Sequence, residues 1–206
     1  MSAPQPRSLK SHELIAPTDI ADWVWVNLSR GADRHSHPFH LLTMATVSPD
    51  GRPAARIMTN RGADRVTGRM WFYTRLDTPK VADLRARHLV CFIGYDPDNG
   101  VQVRFSGSAT LHQHGPLADE HWQHVSDVSR WLFHLSPEQS AAAVGIDPRL
   151  PRDHELLAKG LTARSRAQFV VLEVAVETID WHQTDGAHQR RAVMHGKDGW
   201  RALKVE

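Results

Sequence analysis

The chain has a single cysteine, Cys91, in 206 residues. One thiol excludes an intrachain disulfide framework and fits a reducing, cytoplasmic setting. Long hydrophobic runs are missing too. No stretch of 18 apolar residues occurs, so no transmembrane helix is expected. The opening "MSAPQPRSLKSHELIAP" lacks the apolar centre of a secretory signal. Residues 1–17 read as a loose N-terminal arm and residues 18–206 as a single domain. An excess of one charge is also absent. Lys and Arg number 25 against 23 Asp and Glu, a net charge of +2, whereas phosphate-backbone binders carry a concentrated basic face. Neither nucleic acid nor a membrane is expected as a partner.

What is present suits a soluble globular domain: 41% hydrophobic residues for a core and 23% charged residues for a surface. Seven tryptophans read first as packing. Fourteen histidines raise the question of a metal. The densest group is His35, His37 and His40. His112 and His114 stand at i, i+2, on one face of a strand. No Cys or carboxylate completes a ligand-spaced set around either group, so no metal site is assigned.

The periodicities alternate between strand and helix. "TDIADWVWVNLSR" (18–30) has a helical stripe of Ile20, Trp23, Val24 and Leu28. Residues 39–47 and 52–61 read as strands joined by the turn "SPDG", and 69–74 as a third strand. Thr78 and Pro79 open a short helix with Val81 and Leu84 inward. "LVCFIGY" (89–95) is nearly all apolar and reads as a strand buried on both faces. In 101–114, Val101, Val103 and Phe105 alternate with Gln102, Arg104 and Ser106, and Gly107 marks a bulge or bend. Helical patterns follow around 117–126 and 136–145, then a Pro-containing connector over 147–165. Strands return over 168–183, 188–194 and 200–205. A mainly β fold with inserted helices, built as a small closed or split barrel, follows from this order.

The helix starting at Thr78 carries the clearest chemical signal. Its first turn presents unpaired N–H groups and the positive end of the dipole. Lys80 adds a cation there, where a cation is normally disfavoured; a shared anion, phosphate above all, resolves the conflict. Arg56 and Arg61 precede it on the second strand. Five residues apart they face opposite sides of a regular strand, so both reach one ligand only if the strand ends or bulges near Asn60. Arginine's planar fork suits phosphate.

Taken in order, these segments resemble the pyridoxamine 5′-phosphate oxidase-like family, from about Phe39 to the C-terminus. The motifs are "RIMTNR" with Arg56 and Arg61, Tyr73-Thr74 closing "WFYT", Lys80 opening the next helix, "VQVRFSG" with Gln102 and Gly107, and Trp181 followed ten residues later by Arg191. The resemblance implies an FMN-binding split β-barrel that dimerises with FMN at the interface. It implies FMN contacts from Arg56, Ile57, Met58, Arg61, Tyr73, Thr74, Lys80 and Gln102. It adds Gln139 and Ser140, matched across a small gap, and Trp181 and Arg191 from the second subunit. The chemistry implied is FMN-dependent oxidation or reduction of a small molecule.

The chain departs from the pattern at several positions. Pro79 replaces the first of the basic pair, with Arg75 as a substitute. The Arg-x-His that engages pyridoxal phosphate in the true oxidases corresponds to Ala187-His188-Gln189. His188 and Arg130 remain as substrate-side candidates. The favoured function is therefore an FMN-dependent oxidoreductase with a substrate other than a B6 vitamer. The alternatives are a true pyridoxamine 5′-phosphate oxidase and a non-catalytic flavin or haem binder, the last kept open by the histidines.

Overall fold

The structure, a computed structural model, describes residues 17–134, 162–186 and 188–205. Helix α1 (Pro17–Asp33) is followed by the strands β1 (Leu41–Val47), β2 (Pro53–Asp64) and β3 (Arg69–Arg75). Helix α2 (Pro79–Ala86) leads to β4 (Leu89–Asp96) and β5 (Val101–His112). Then come the helices α3 (Pro116–Gln123), α4 (Asp127–His134) and α5 (Thr162–Gln168), and the strands β6 (Phe169–Asp185), β7 (His188–His195) and β8 (Ala202–Val205). The fold is mainly β, as the sequence pattern implies. Residues 1–16 of the expected arm, the expected helix over 136–145 and most of the 147–165 connector lie outside the described residues.

The strands run in the order β3-β2-β1-β4-β5-β6-β7-β8, and β3 pairs again with β6, closing six of them into a barrel. All the pairings are antiparallel. Strand β6 makes this possible by its length of 17 residues. Its first part, Phe169–Ala175, pairs with β3, and its later part, Thr178–Asp185, pairs with β7. The register of β5 against β6 shifts between Ser106 and Gly107. A Cβ at Gly107 would lie 2.0 Å from the Ala175 carbonyl oxygen, so the bulge requires glycine.

A closed barrel has one inner face, and alternate residues of each strand fill it. Phe72, Phe92 and Phe105 come from β3, β4 and β5. Phe92 stacks on Phe72 at 4.3 Å and on Phe105 at 5.3 Å between ring centroids. Helix α1 buries Ile20, Trp23, Val24 and Leu28 in the same core. Asn60, fully buried, ties this helix to the barrel by donating to the Leu28 and Phe39 carbonyls.

The expectation that β4 is buried on both faces is corrected. Val90, Phe92, Gly94 and Asp96 are buried, while Leu89 is 62% and Tyr95 59% exposed. The apolar run reflects an outer face that is itself apolar. Leu41 on β1 and Ile57 on β2 are exposed on the same wall, where Thr43 pairs with both Ile57 and Ile93.

Candidate functional site

A cleft of about 290 Å³ opens between β2, β3, the start of α2 and helix α4. Its position follows from local sequence. Pro79 sits in the first turn of α2 and Thr78 takes the extended N-cap conformation. The Thr78 hydroxyl donates to the Arg75 carbonyl at 2.8 Å and makes no cap hydrogen bond to the helix. The backbone N–H of Val81 is bonded to the Thr78 carbonyl at 3.0 Å and Pro79 has no N–H; among the described residues the N–H of Lys80 has no acceptor.

Lys80 lines the cleft, half-buried, with Nζ donating to the Thr74 hydroxyl at 3.2 Å. Burial lowers its pKa below the ordinary lysine value, and the nearby Arg56 guanidinium lowers it further. Among the described residues it has no salt bridge. Arg56 does not line the cleft. It donates to the Thr46 hydroxyl at 2.5 Å and pairs with the buried Asp83 carboxylate at 3.3 Å. Arg75 lines the cleft, yet both ends of its guanidinium hold Asp77, and a third bond goes to the Leu132 carbonyl. These bonds hold the Asp77 carboxyl below its usual range. Among the described residues, Lys80 is thus the cation at this corner without a carboxylate within ion-pair distance.

The other end of the cleft is set by a bulge. The β2–β3 register shifts between Asn60 and Gly62, the kind of irregularity that a shared ligand for Arg56 and Arg61 would require. The Asn60 side chain also accepts from the Gly62 N–H at 3.1 Å. A Cβ at Gly62 would lie 2.9 Å from the Trp71 ring, so the close approach there needs glycine. Between these two residues, Arg61 turns its guanidinium over the Tyr73 ring, 5.3 Å from the centroid. Tyr73 is half-buried; burial raises its pKa and the adjacent Arg61 opposes that rise. Ile57, Met58 and, from α4, Leu132 and Phe133 give the cleft an apolar wall, with Ser129 contributing a hydroxyl.

The structure therefore brings together Ile57, Met58, Arg61, Tyr73, Thr74 and Lys80 of the residues expected from sequence, with Arg56 one layer behind. It does not bring the others there. Gln102 is exposed on β5, opposite His182 and Tyr95. Arg191 is on β7, where it holds Asp180 with two bonds at 2.9 and 2.8 Å; Arg104 holds the same carboxylate at 2.6 Å. His188 is exposed at the start of β7. Arg130 stacks on Trp122 at 4.9 Å and donates to the Trp122 carbonyl, away from the cleft lining. Trp181, expected among the cofactor contacts from the second subunit, is fully buried in the barrel core of its own protomer; its place on β6 puts it on the inner face between Val103 and Ala192. Gln139, Ser140 and Ala187 lie outside the described residues.

Sequence reasoning passed over Thr59, Ser129, Leu132 and Phe133 as cleft residues, and His121 behind Tyr73. Of the histidines singled out, His37 and His40 are tied to Asn27 and to the Gly31 carbonyl, and His112 faces Glu173 at 3.7 Å. No group of three or more metal-binding side chains occurs among the described residues. A larger pocket of about 470 Å³ lies between the β2–β3 turn, β6 and the β7–β8 connection, and none of the expected residues lines it. No helix among the described residues is long and apolar enough to cross a membrane.

Comparison with known proteins follows the same lines. An FMN-binding, pyridoxamine 5′-phosphate oxidase-related protein from Nostoc punctiforme has the same fold. Its TM-score is 0.64 at 23% identity, covering 94% of this chain and 97% of that one. PhzG from Burkholderia lata, solved with tetrahydrophenazine-1-carboxylic acid, also has a TM-score of 0.64, at 20% identity over 96% and 94% of the two chains. The pyridoxine/pyridoxamine 5′-phosphate oxidase of Leptospira interrogans is 30% identical over 109 residues, 52% of this chain and 44% of that protein. The chain thus spans less than half the length of this curated relative. The sequence profile of the pyridoxamine 5′-phosphate oxidase family matches residues 36–183, and the chain belongs to that family.

Proposed function

We propose that the protein is an FMN-dependent oxidoreductase acting on a small molecule other than a B6 vitamer, and that it works as a homodimer with FMN at the interface. The observation that carries this reading is Lys80, half-buried at the start of α2, where among the described residues its backbone N–H has no acceptor and its ammonium no salt bridge. A phosphate satisfies that arrangement: it supplies the missing negative charge at the positive end of a helix. The adjoining Ile57, Met58, Tyr73 and Phe133 surfaces suit the flat, largely apolar ring system of a flavin.

In this reading Lys80 and Thr74 hold the phosphate end, with Arg56 adding positive potential from behind. Tyr73 and the apolar wall exclude water from the ring. Arg61 meets an oxyanion at the mouth. Flavin supplies the two-electron chemistry when bound, and the chain supplies position and electrostatics.

A volume of about 290 Å³ is at the small end for a cofactor site, which supports a second wall from another copy. The exposed apolar face of Leu41, Ile57, Leu89 and Tyr95 is the natural contact. Monomers seldom leave such a face to water, and Ile57 belongs to both the face and the cleft. Gln102, exposed and outside the cleft lining of its own protomer, is available to the cleft of the partner. The test is a visible absorption spectrum of purified protein with and without added FMN, followed by turnover assays. Absence of flavin binding refutes the reading, and efficient oxidation of pyridoxine 5′-phosphate replaces the substrate assignment with a true oxidase.

A further inference from the structure

We propose that His121, outside the cleft, is a positioning residue that fixes Arg61 for oxyanion binding by holding the Tyr73 ring between them. The inference rests on the role given to Arg61 above and assigns a part to a residue on α3 outside the cleft lining.

The geometry is a chain of three contacts. The Tyr73 hydroxyl and His121 Nδ1 are 3.0 Å apart, and the two rings meet edge to face at 5.6 Å. Whichever partner carries the shared hydrogen, the contact sets the rotation of the phenol. Arg61 then rides on the π face of that phenol. Among the described residues Arg61 has no carboxylate partner, so the ring is what orders its long side chain. An ordered guanidinium loses less entropy on meeting an anion than one that is free to move.

His121 is itself held. Its ring lies 5.9 Å from that of Trp71, whose Nε1 donates to Glu173 at 3.3 Å, and Glu173 is salt-bridged to Arg69. The Phe169 ring packs against Tyr73 at 5.0 Å. Burial lowers the His121 pKa, so the imidazole is neutral near pH 7 and adds no second cation beside Arg61. The support thus spans β2, β3, α3 and β6, while the group it positions sits at the mouth of the cleft.

The experiment compares wild type with Arg61→Ala, His121→Phe, His121→Gln, Tyr73→Phe and the Arg61→Ala/His121→Phe double variant, each checked for an unchanged thermal transition. Titrating FMN and riboflavin into apoprotein reads the cofactor phosphate. Titrating inorganic phosphate into FMN-loaded protein, followed by the flavin spectrum, reads a substrate-side oxyanion. Arg61→Ala weakens one of these, and the one affected identifies the source of the anion. His121→Phe and Tyr73→Phe weaken the same one on the order of three- to tenfold. His121→Gln, which keeps a hydrogen-bond partner for the phenol, restores it, and the double variant binds no more weakly than Arg61→Ala alone. A silent His121→Phe alongside an active Arg61→Ala overturns the positioning role alone, as does an additive double variant. An Arg61→Ala protein unchanged in both arms overturns the oxyanion role of Arg61 together with the positioning built on it.

Discussion

Arg56 and Lys80 approach the same corner of the cleft with different partners. Arg56 is committed to the Asp83 carboxylate at 3.3 Å, whereas Lys80 meets the Thr74 hydroxyl at 3.2 Å and, among the described residues, no carboxylate within ion-pair distance. The difference decides which cation is left for a ligand.

Replacing Lys80 by alanine removes the charge-assisted contact proposed for the FMN phosphate. We expect FMN binding to weaken by about 1.5–3 kcal/mol, measured as a dissociation constant from flavin absorbance. Riboflavin affinity should change little, since it lacks the phosphate.

Asp83 has a structural part. Asp83→Ala leaves the Arg56 guanidinium and the Thr46 hydroxyl without the carboxylate that both meet. Breaking one side of a buried pair costs about 3 kcal/mol, so a clear drop in the urea midpoint is expected. An unchanged midpoint would mean that the pair contributes nothing.

His37 gives a pH dependence of known sign. Burial lowers its pKa, opposed by Asp96 and aided by Arg30, Arg34 and His40. The unfolded chain therefore binds the proton more readily than the fold does. Stability from this group is complete above the ordinary imidazole value of about 6.5, and declines as the pH falls below it towards the folded value. Urea midpoints at pH 7.5 and 5.5 should differ, and less so in His37→Gln. Asp77 and Asp180 titrate below the ordinary carboxylate range, so they leave this window undisturbed.

The exposed apolar face tests the assembly. Leu89→Asp puts a charge on that face without touching the inner wall of the barrel. Sedimentation should show monomer in place of dimer, with weaker FMN binding. A monomeric wild type that binds FMN fully would contradict a shared site.

Much of this organisation was legible in the chain. Alternation in 101–112 separated Val103 and Phe105 from Gln102 and Arg104, and Gly107 marked the bulge, because a single-walled barrel imposes period two with a break at each bend. The Thr78-Pro79-Lys80 sequence located the start of α2 and the cation beside it through helix-start chemistry alone. Residues 89–95 misled because an apolar outer wall and a doubly buried strand have the same composition. The burial of Trp181 was not legible for a related reason: spacing to Arg191 gives separation along the chain but not which face of β6 a ring takes. The pairing of Arg56 with the buried Asp83 was not legible, since the two lie 27 residues apart and no local pattern announces it. His121 was invisible because its meaning comes from Tyr73, 48 positions earlier.

The central claim is that this cleft holds FMN by its phosphate. The most direct test is the visible spectrum of the desalted protein after incubation with FMN. Flavin bands should stay with the wild-type protein and be lost from Lys80→Ala. A wild-type protein that emerges colourless would mean that the family fold is present here without its flavin.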